Sequence, residues 1–244
     1  MVWSTSKAAM RNWFCLVVSV ALCASAAAGG TPPVADGAPP ARVEIEFELM
    51  RNGTTMAEVV ERLEHANGNY QLTETWKGKG IYALLGRAKR VSAGTLGADG
   101  PRPTEYMDER SGRDTQRVFI DWKANTITRR YKGKTSTEPV PADTQDRLSF
   151  LLALAFASRN GQPVTFHVVD GRGMSHHTYQ PAGREKLATR AGEFDAIKMT
   201  RRNEGSGDVV EIWLAANRSY LPVRIVILEK DGTRYEHVVT RMSP

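Results

Sequence analysis

The chain has 244 residues, 41% of them hydrophobic, and a formal net charge of +6, which suffices for one sizeable core. Its two cysteines, Cys15 and Cys23, both fall near the start, so the remainder has neither disulfides nor thiol chemistry. No zinc-finger spacing, arginine-rich helix or RNA-binding aromatic motif occurs, and nucleic acid is not an expected partner.

Lys7 and Arg11 precede an apolar run from Trp13 to Ala28, and Ala24-Ser25-Ala26 or Ala26-Ala27-Ala28 supplies small residues for a signal peptidase. This layout predicts a signal peptide over residues 1–28, cleaved near 26–28, and a periplasmic protein. The run is too short and Ala-rich for a comfortable span of about 20 apolar residues. A retained anchor is the alternative, and Cys23 as a lipidated first residue would need a small residue where Leu22 stands. Residues 29–41, rich in Pro, Gly and Ala, read as a disordered linker. Residues 42–244 read as one domain.

Strand signals begin at Arg42 to Met50, where Val43, Ile45, Phe47 and Leu49 alternate with Glu44, Glu46 and Glu48. Asn52-Gly53 and then Asn67-Gly68 are hairpin turns around a strand near Thr55 to Glu64. A third strand covers Tyr70 to Lys77, followed by an irregular or helical piece at Ile81 to Leu85. Further strands are predicted near Arg90 to Leu96, Thr104 to Asp108, Gln116 to Trp122 and Thr126 to Tyr131. Turn residues every eight to twelve positions mark antiparallel all-β structure.

From Asp143 to Arg159 the period becomes helical, with Asp143 or Thr144 as N-cap, Asp146 in the first turn and Asn160-Gly161 as the stop. Phe150, Leu151, Leu152, Leu154 and Phe156 point all round its axis, so every side needs cover. Strands resume near Val164 to Val169, Ser175 to Gln180, Glu185 to Ala188, Phe194 to Arg201, Val209 to Leu214, Val223 to Leu228 and Tyr235 to Thr240. The expected fold is mainly β: a single curved antiparallel sheet, an open half-barrel, wrapped around one central apolar helix.

Phe119-Ile120-Asp121-Trp122, Gln145-Asp146-Arg147-Leu148-Ser149, Asp170-Gly171-Arg172, Glu211-Ile212-Trp213-Leu214 and Leu221-Pro222-Val223-Arg224-Ile225 together resemble an exported bacterial domain-of-unknown-function family, number 3108. The likeness spans residues 43–241 and implies a fold rather than an activity. More distantly, the Trp-Leu strand with Leu-Pro-Val-Arg-Ile is similar to the C-terminal strands of periplasmic lipoprotein carriers. That likeness implies a curved half-barrel enclosing helices and an apolar cavity.

Neighbouring residues on a strand face opposite ways, so His176-His177 cannot both grip one ion, and no metal or other cofactor is expected. Ser149 and Ser175 lack a nucleophile elbow, and the chain reads as non-catalytic. Asp121, Gln145 and Asp146 are expected to form a polar clamp between helix and sheet, with Gln145 bonding either a strand backbone or the Trp122 indole. Basic clusters at Lys77, Lys79, Arg87, Lys89 and Arg90, and at Arg129, Arg130, Lys132 and Lys134, read as solvated sheet faces or as attraction to anionic lipid. Trp76, Tyr82, Phe119, Trp122, Phe150, Leu154, Phe166 and Trp213 are the candidate lining of an apolar pocket. The expected function is binding of a hydrophobic envelope component, a lipid or the acylated part of a lipoprotein, with at most peripheral membrane contact. The rival is an envelope scaffold that binds proteins through a sheet edge or basic face and has a solid core. Oligomeric state is not legible from the sequence.

Overall fold

The structure, a computed structural model, describes residues 39–202 and 207–243. The expected leader and most of the linker lie outside the described residues. The linker's last residues, 39–41, are held rather than loose: the Ala41 carbonyl accepts from the His65 amide at 2.8 Å. The Pro39 carbonyl lies 2.9 Å from Nε2 of His65.

The first eight strands form a meander: β1 (Arg42–Arg51), β2 (Thr54–Ala66), β3 (Asn69–Gly78), β4 (Arg87–Gly97), β5 (Gly100–Arg110), β6 (Gln116–Asp121), β7 (Thr126–Tyr131) and β8 (Lys134–Glu138). A short β9 (Thr144–Asp146) leads into the helix α1 (Ser149–Ala157), and a second meander follows. It comprises β10 (Val164–Val169), β11 (Met174–Thr189), β12 (Gly192–Arg202), β13 (Val209–Ala215), β14 (Leu221–Leu228) and β15 (Arg234–Ser243). The last strand pairs with the first, Phe47 opposite Val239, which joins both meanders into one open sheet of 15 strands with β8 and β9 at its edges. Every pairing is antiparallel except that of β9 with β10.

The alternation read in β1 is realised, with Val43, Ile45, Phe47 and Leu49 all buried. Asn52 and Gly53 turn it into β2 at φ 48° and 81°, the left-handed pair that suits the twist of two-residue hairpins. The piece at Gly80–Leu85 is a 3₁₀ turn. The helix is shorter than the sequence predicts, because Thr144–Asp146 adds a parallel strand beside β10 before the helical turn begins. Its N-cap position is Leu148 rather than Asp143 or Thr144. Gly161 ends it at φ 64° after one 3₁₀ turn. The two strands expected between Ser175 and Ala188 are one strand, bulged between Pro181 and Gly183.

The sheet covers the helix as its all-round apolarity demands. Leu148, Leu152 and Phe156, at i, i+4 and i+8, join the cluster of Phe47, Leu63, Tyr106 and Val118. Leu151 and Leu154 join Phe166, Tyr179, Met199 and Ile212 on the other side. Full burial of each of these leucines contributes about 2 kcal/mol. The curl is closed by polar ties between the corner around β9 and the strands it meets. Ser92 donates to Asp146 at 2.5 Å, Gln145 donates to the Pro101 carbonyl at 2.9 Å, and the Gly171 amide donates to Gln116 at 3.1 Å.

Candidate functional site

Asp146 and Gln145 form the expected clamp. Asp146 is fully buried, and its Oδ1 accepts the Leu148 and Ser149 amides, each at 2.8 Å. Those are orphan donors of the first helical turn, so the carboxylate caps the helix from the end of a strand. Gln145 takes the strand-backbone option. The Trp122 indole instead donates to the Pro103 carbonyl at 2.7 Å. Asp121 is not part of the clamp: its Oδ1 accepts the Lys123 and Ala124 amides at 2.9 Å and pins the β6–β7 turn.

A row of charges that sequence reasoning missed crosses the inner face of β2 to β5. Glu61 stands opposite Glu74, Glu74 opposite Arg90, and Arg90 opposite Asp108. Arg90 donates to Glu74 at 2.8 Å and to Asp108 at 3.4 Å. Arg110 grips Asp108 through two nitrogens at 2.9 and 3.0 Å, and the Trp76 indole donates to Glu74 at 2.6 Å. Burial alone would raise the Asp108 pKa, but the bonds from Arg110 and Arg90 outweigh it and hold the carboxyl low. Burial pushes Glu61 up to about 8, the Glu74 charge adds to the rise, and Arg90 offsets part of it. Burial, followed by Arg90, brings His237 down to about 4. At neutral pH the face therefore holds a neutral Glu61, a neutral His237 and one closed ion network.

The raised Glu61 value has a testable sign. The folded state keeps a proton that the unfolded chain releases near 4.5, so stability falls as pH rises from there through about 8. Glu61→Gln is expected to match the wild type near pH 4 and to be more stable at pH 9, by on the order of a few kcal/mol. Urea midpoints at the two pH values check this, and parallel pH profiles would count against a proton held on Glu61.

The eight aromatic and aliphatic candidates do not converge. Leu154 is fully buried in packed side chains, and Phe150 stacks on Tyr179 at 6.1 Å. Beside Leu151 and Leu152 the interior leaves only ≈ 20 Å³, room for about one water. Phe119 lies on the face of β6 opposite Val118 and Ile120, with Arg130 over its ring at 5.4 Å. Trp213 donates to Glu185 and lies between Lys198 and Arg224, at 4.9 and 4.8 Å. Trp76 belongs to the charge row, and Tyr82 to the 3₁₀ turn. The pocket is therefore not the wrapped interior that the aromatic content predicts, since close packing against α1 fills that space. His176 and His177 do face opposite ways, one against His167 at 4.9 Å and the other against Phe150 at 6.4 Å.

Trp122 and Phe166 do share a pocket. It holds ≈ 580 Å³ at the rim, between the β4–β5 hairpin, the loop before β9 and one flank of α1, with Gly97, Gly100, Ala153 and Ala157 in its wall. Arg102 stacks over the Trp122 ring at 4.3 Å, and Asp143 is bonded to His167 at 2.7 Å nearby. Thr144 and Gln145 border the same space, and Thr144 Oγ1 and Gln145 Oε1 are buried without a hydrogen-bond partner. Because Nε2 of Gln145 is committed to Pro101, Oε1 is left as an acceptor. Unpaired buried oxygens are uncommon and mark places where a missing partner matters. The volume lies in the range of small-molecule sites. A larger groove of ≈ 650 Å³ runs beside Trp76, but Glu58, Lys77, Arg87, Lys89, Glu109 and Arg110 line it, which suits water better than an apolar guest.

An open β half-barrel of one curved sheet around one helix, with a mixed apolar and polar pocket at its rim, is the class that this architecture defines. The chain belongs to the family described as Protein of unknown function (DUF3108), whose model matches residues 43–239. A Bacteroides fragilis protein with a YmcC-like fold is similar at 10% identity and a TM-score of 0.39, covering 83% of this chain and 95% of that one. A Parabacteroides distasonis protein described as a lipoprotein is similar at 10% identity and a TM-score of 0.35, covering 82% of this chain and 94% of that one. A search of curated proteins finds no match.

Proposed function

We propose that this protein is a non-catalytic binding protein of the bacterial envelope, and that it holds an acyl chain with a hydrogen-bonding head in the rim pocket rather than inside the sheet. The observation that carries this reading is the pair of unpartnered oxygens on Thr144 and Gln145 beside the apolar surface of Trp122, Phe166, Ala153 and Ala157. An amide or hydroxyl on the ligand would give Gln145 Oε1 the donor it lacks, while the chain covers the aromatic wall. The signal peptide expected over residues 1–28 supports an envelope location.

A fluorescent fatty-acid probe is expected to bind with micromolar affinity. Ala157→Phe, which fills the pocket from the helix, should weaken it about tenfold or more without moving the melting temperature by more than a few degrees. Mass spectrometry of a lipid extract from the purified protein should show a co-purified acyl compound. No probe binding by the folded protein, or binding indifferent to Ala157→Phe, would sink this reading. The filled interior would then favour the second one, a solid-core scaffold whose exposed edge β8 (Lys134–Glu138) is open to strand pairing with a protein partner.

A further inference from the structure

The β3–β4 connection holds two of its apolar side chains, Ile81 and Leu84, away from the protein. In the 3₁₀ turn Gly80–Leu85, Ile81 is 80% exposed and Leu84 94% exposed. Elsewhere among the described residues Leu228 is the one large hydrophobic side chain that is more than a third exposed, at 42%. A scattered exposed leucine means little, but two adjacent ones at the tip of a constrained turn need a partner surface.

The turn is built, not frayed. The Lys79 amide donates to the Met56 carbonyl at 2.8 Å and the Tyr82 amide to the Lys79 carbonyl at 2.9 Å. The Tyr82 carbonyl oxygen lies 2.2 Å from where a Cβ on Gly78 would stand, so only glycine lets the turn fold back this closely.

The surroundings are basic. From Thr75 to Ala98 the sequence has no Asp or Glu, and Lys77, Lys79, Arg87 and Lys89 flank the turn, all four exposed. Lys79 pairs with Glu58. Among the described residues Lys77, Arg87 and Lys89 form no ion pair. Glu58 and Glu109 stand across the strands from Lys77 and Lys89, but the four cations outnumber them. An apolar tip with a net basic surround matches the layered chemistry of an anionic bilayer surface, with acyl chains beneath negative headgroups. A protein partner would need acidic groups arranged around an apolar socket, whereas a bilayer supplies both layers without a fitted shape.

We propose that the Gly80–Leu85 turn docks on an anionic lipid surface, with Ile81 and Leu84 entering the interface and Lys77, Arg87 and Lys89 on the headgroups. The tip and the rim pocket lie at opposite ends of β4, roughly 30 Å apart along an eleven-residue strand. Docking and ligand binding are therefore separable, and the membrane-facing end is the one away from the pocket.

The test places an NBD fluorophore on Leu84→Cys in the full chain carrying Cys15→Ser and Cys23→Ser. On vesicles containing phosphatidylglycerol the label should shift to the blue and be quenched by lipid-borne quencher. On pure phosphatidylcholine it should stay as in water, and added salt should reverse the shift. Because the label reports the tip itself, binding through the leader leaves it in water. In flotation, Ile81→Ser with Leu84→Ser should reduce capture of the label-free chain by phosphatidylglycerol vesicles, relative to wild type, about tenfold beyond any leader-mediated background. Both side chains are exposed, so that variant should melt with the wild type. A label that remains in water on phosphatidylglycerol vesicles overturns the proposal. So does a label already shielded without lipid in a dimer that the double variant makes monomeric, since the tip would then cover a second copy.

Discussion

Asp146→Ala is expected to destabilise the protein by about 3–4 kcal/mol, a fall of roughly 10 °C in melting temperature for a domain of this size. The carboxylate satisfies Ser92 from the sheet and the Leu148 and Ser149 amides from the helix, in a place that water does not reach. Alanine would orphan both helix amides at once, leave Ser92 only Tyr70, and cut a tie that closes the curl. Asp146→Asn should recover more than half of the loss: its oxygen still accepts the two amides, and Ser92 can turn toward Tyr70, 2.9 Å away. Burial also pushes Asp146 up to about 6, against the bonds from Ser92, Ser149 and Leu148. Ionising it therefore costs stability as pH rises from about 4 to about 6, and the asparagine variant should lack that slope. Thermal melts of the variants over this range check both statements. An unchanged Asp146→Ala melting temperature would remove the clamp.

Arg90→Met should cost a similar amount, about 3–5 kcal/mol. Arg90 is the cation that Glu74 and Asp108 share, and it lies over the Trp76 ring at 5.2 Å. Asp108 keeps Arg110 when Arg90 is removed, but Glu74, 5% exposed, keeps only the Trp76 indole. The damage is that of stranded charge rather than lost attraction, so Arg90→Met combined with Glu74→Leu should regain much of the single variant's loss. Urea denaturation of the two single variants and the double variant measures the coupling. A loss under about 1 kcal/mol for Arg90→Met would mean that solvent reaches these carboxylates.

The expectations that held rest on local chemistry. Val43 to Leu49 show their buried face by simple alternation, Asn52-Gly53 and Asn67-Gly68 specify turns by left-handed backbone, and the residues around Leu151 announce a helix that must be wrapped. The misses share a different physical origin. The strand at Thr144–Asp146 is three polar residues buried only because β10 lies alongside in parallel, which no period reveals. The strand from Met174 to Thr189 reads as two because Pro181 and Gly183 look like a break, yet antiparallel pairing absorbs them as a bulge. Glu61, Glu74, Arg90 and Asp108 each occupy a single inward position on separate strands, and their company is visible only once register is known. Of the eight candidate pocket residues, Trp122 and Phe166 meet. Aromatic content signals that large side chains need cover, but whether they fill space or surround it depends on how closely α1 packs. Thr144 and Gln145 matter for what they fail to bond, and a sequence carries no sign of that.

The pairing of β1 with β15 has a consequence for synthesis. The first and last strands here meet along the middle of the sheet, nearly two hundred positions apart in sequence. Until the ribosome has delivered Arg234 to Ser243, the first meander offers a row of bare amides and carbonyls next to Phe47 and Leu49. A chain stopped short of β15 therefore bares a strand edge at its centre, which its largely neighbour-to-neighbour topology would otherwise leave only at the margins.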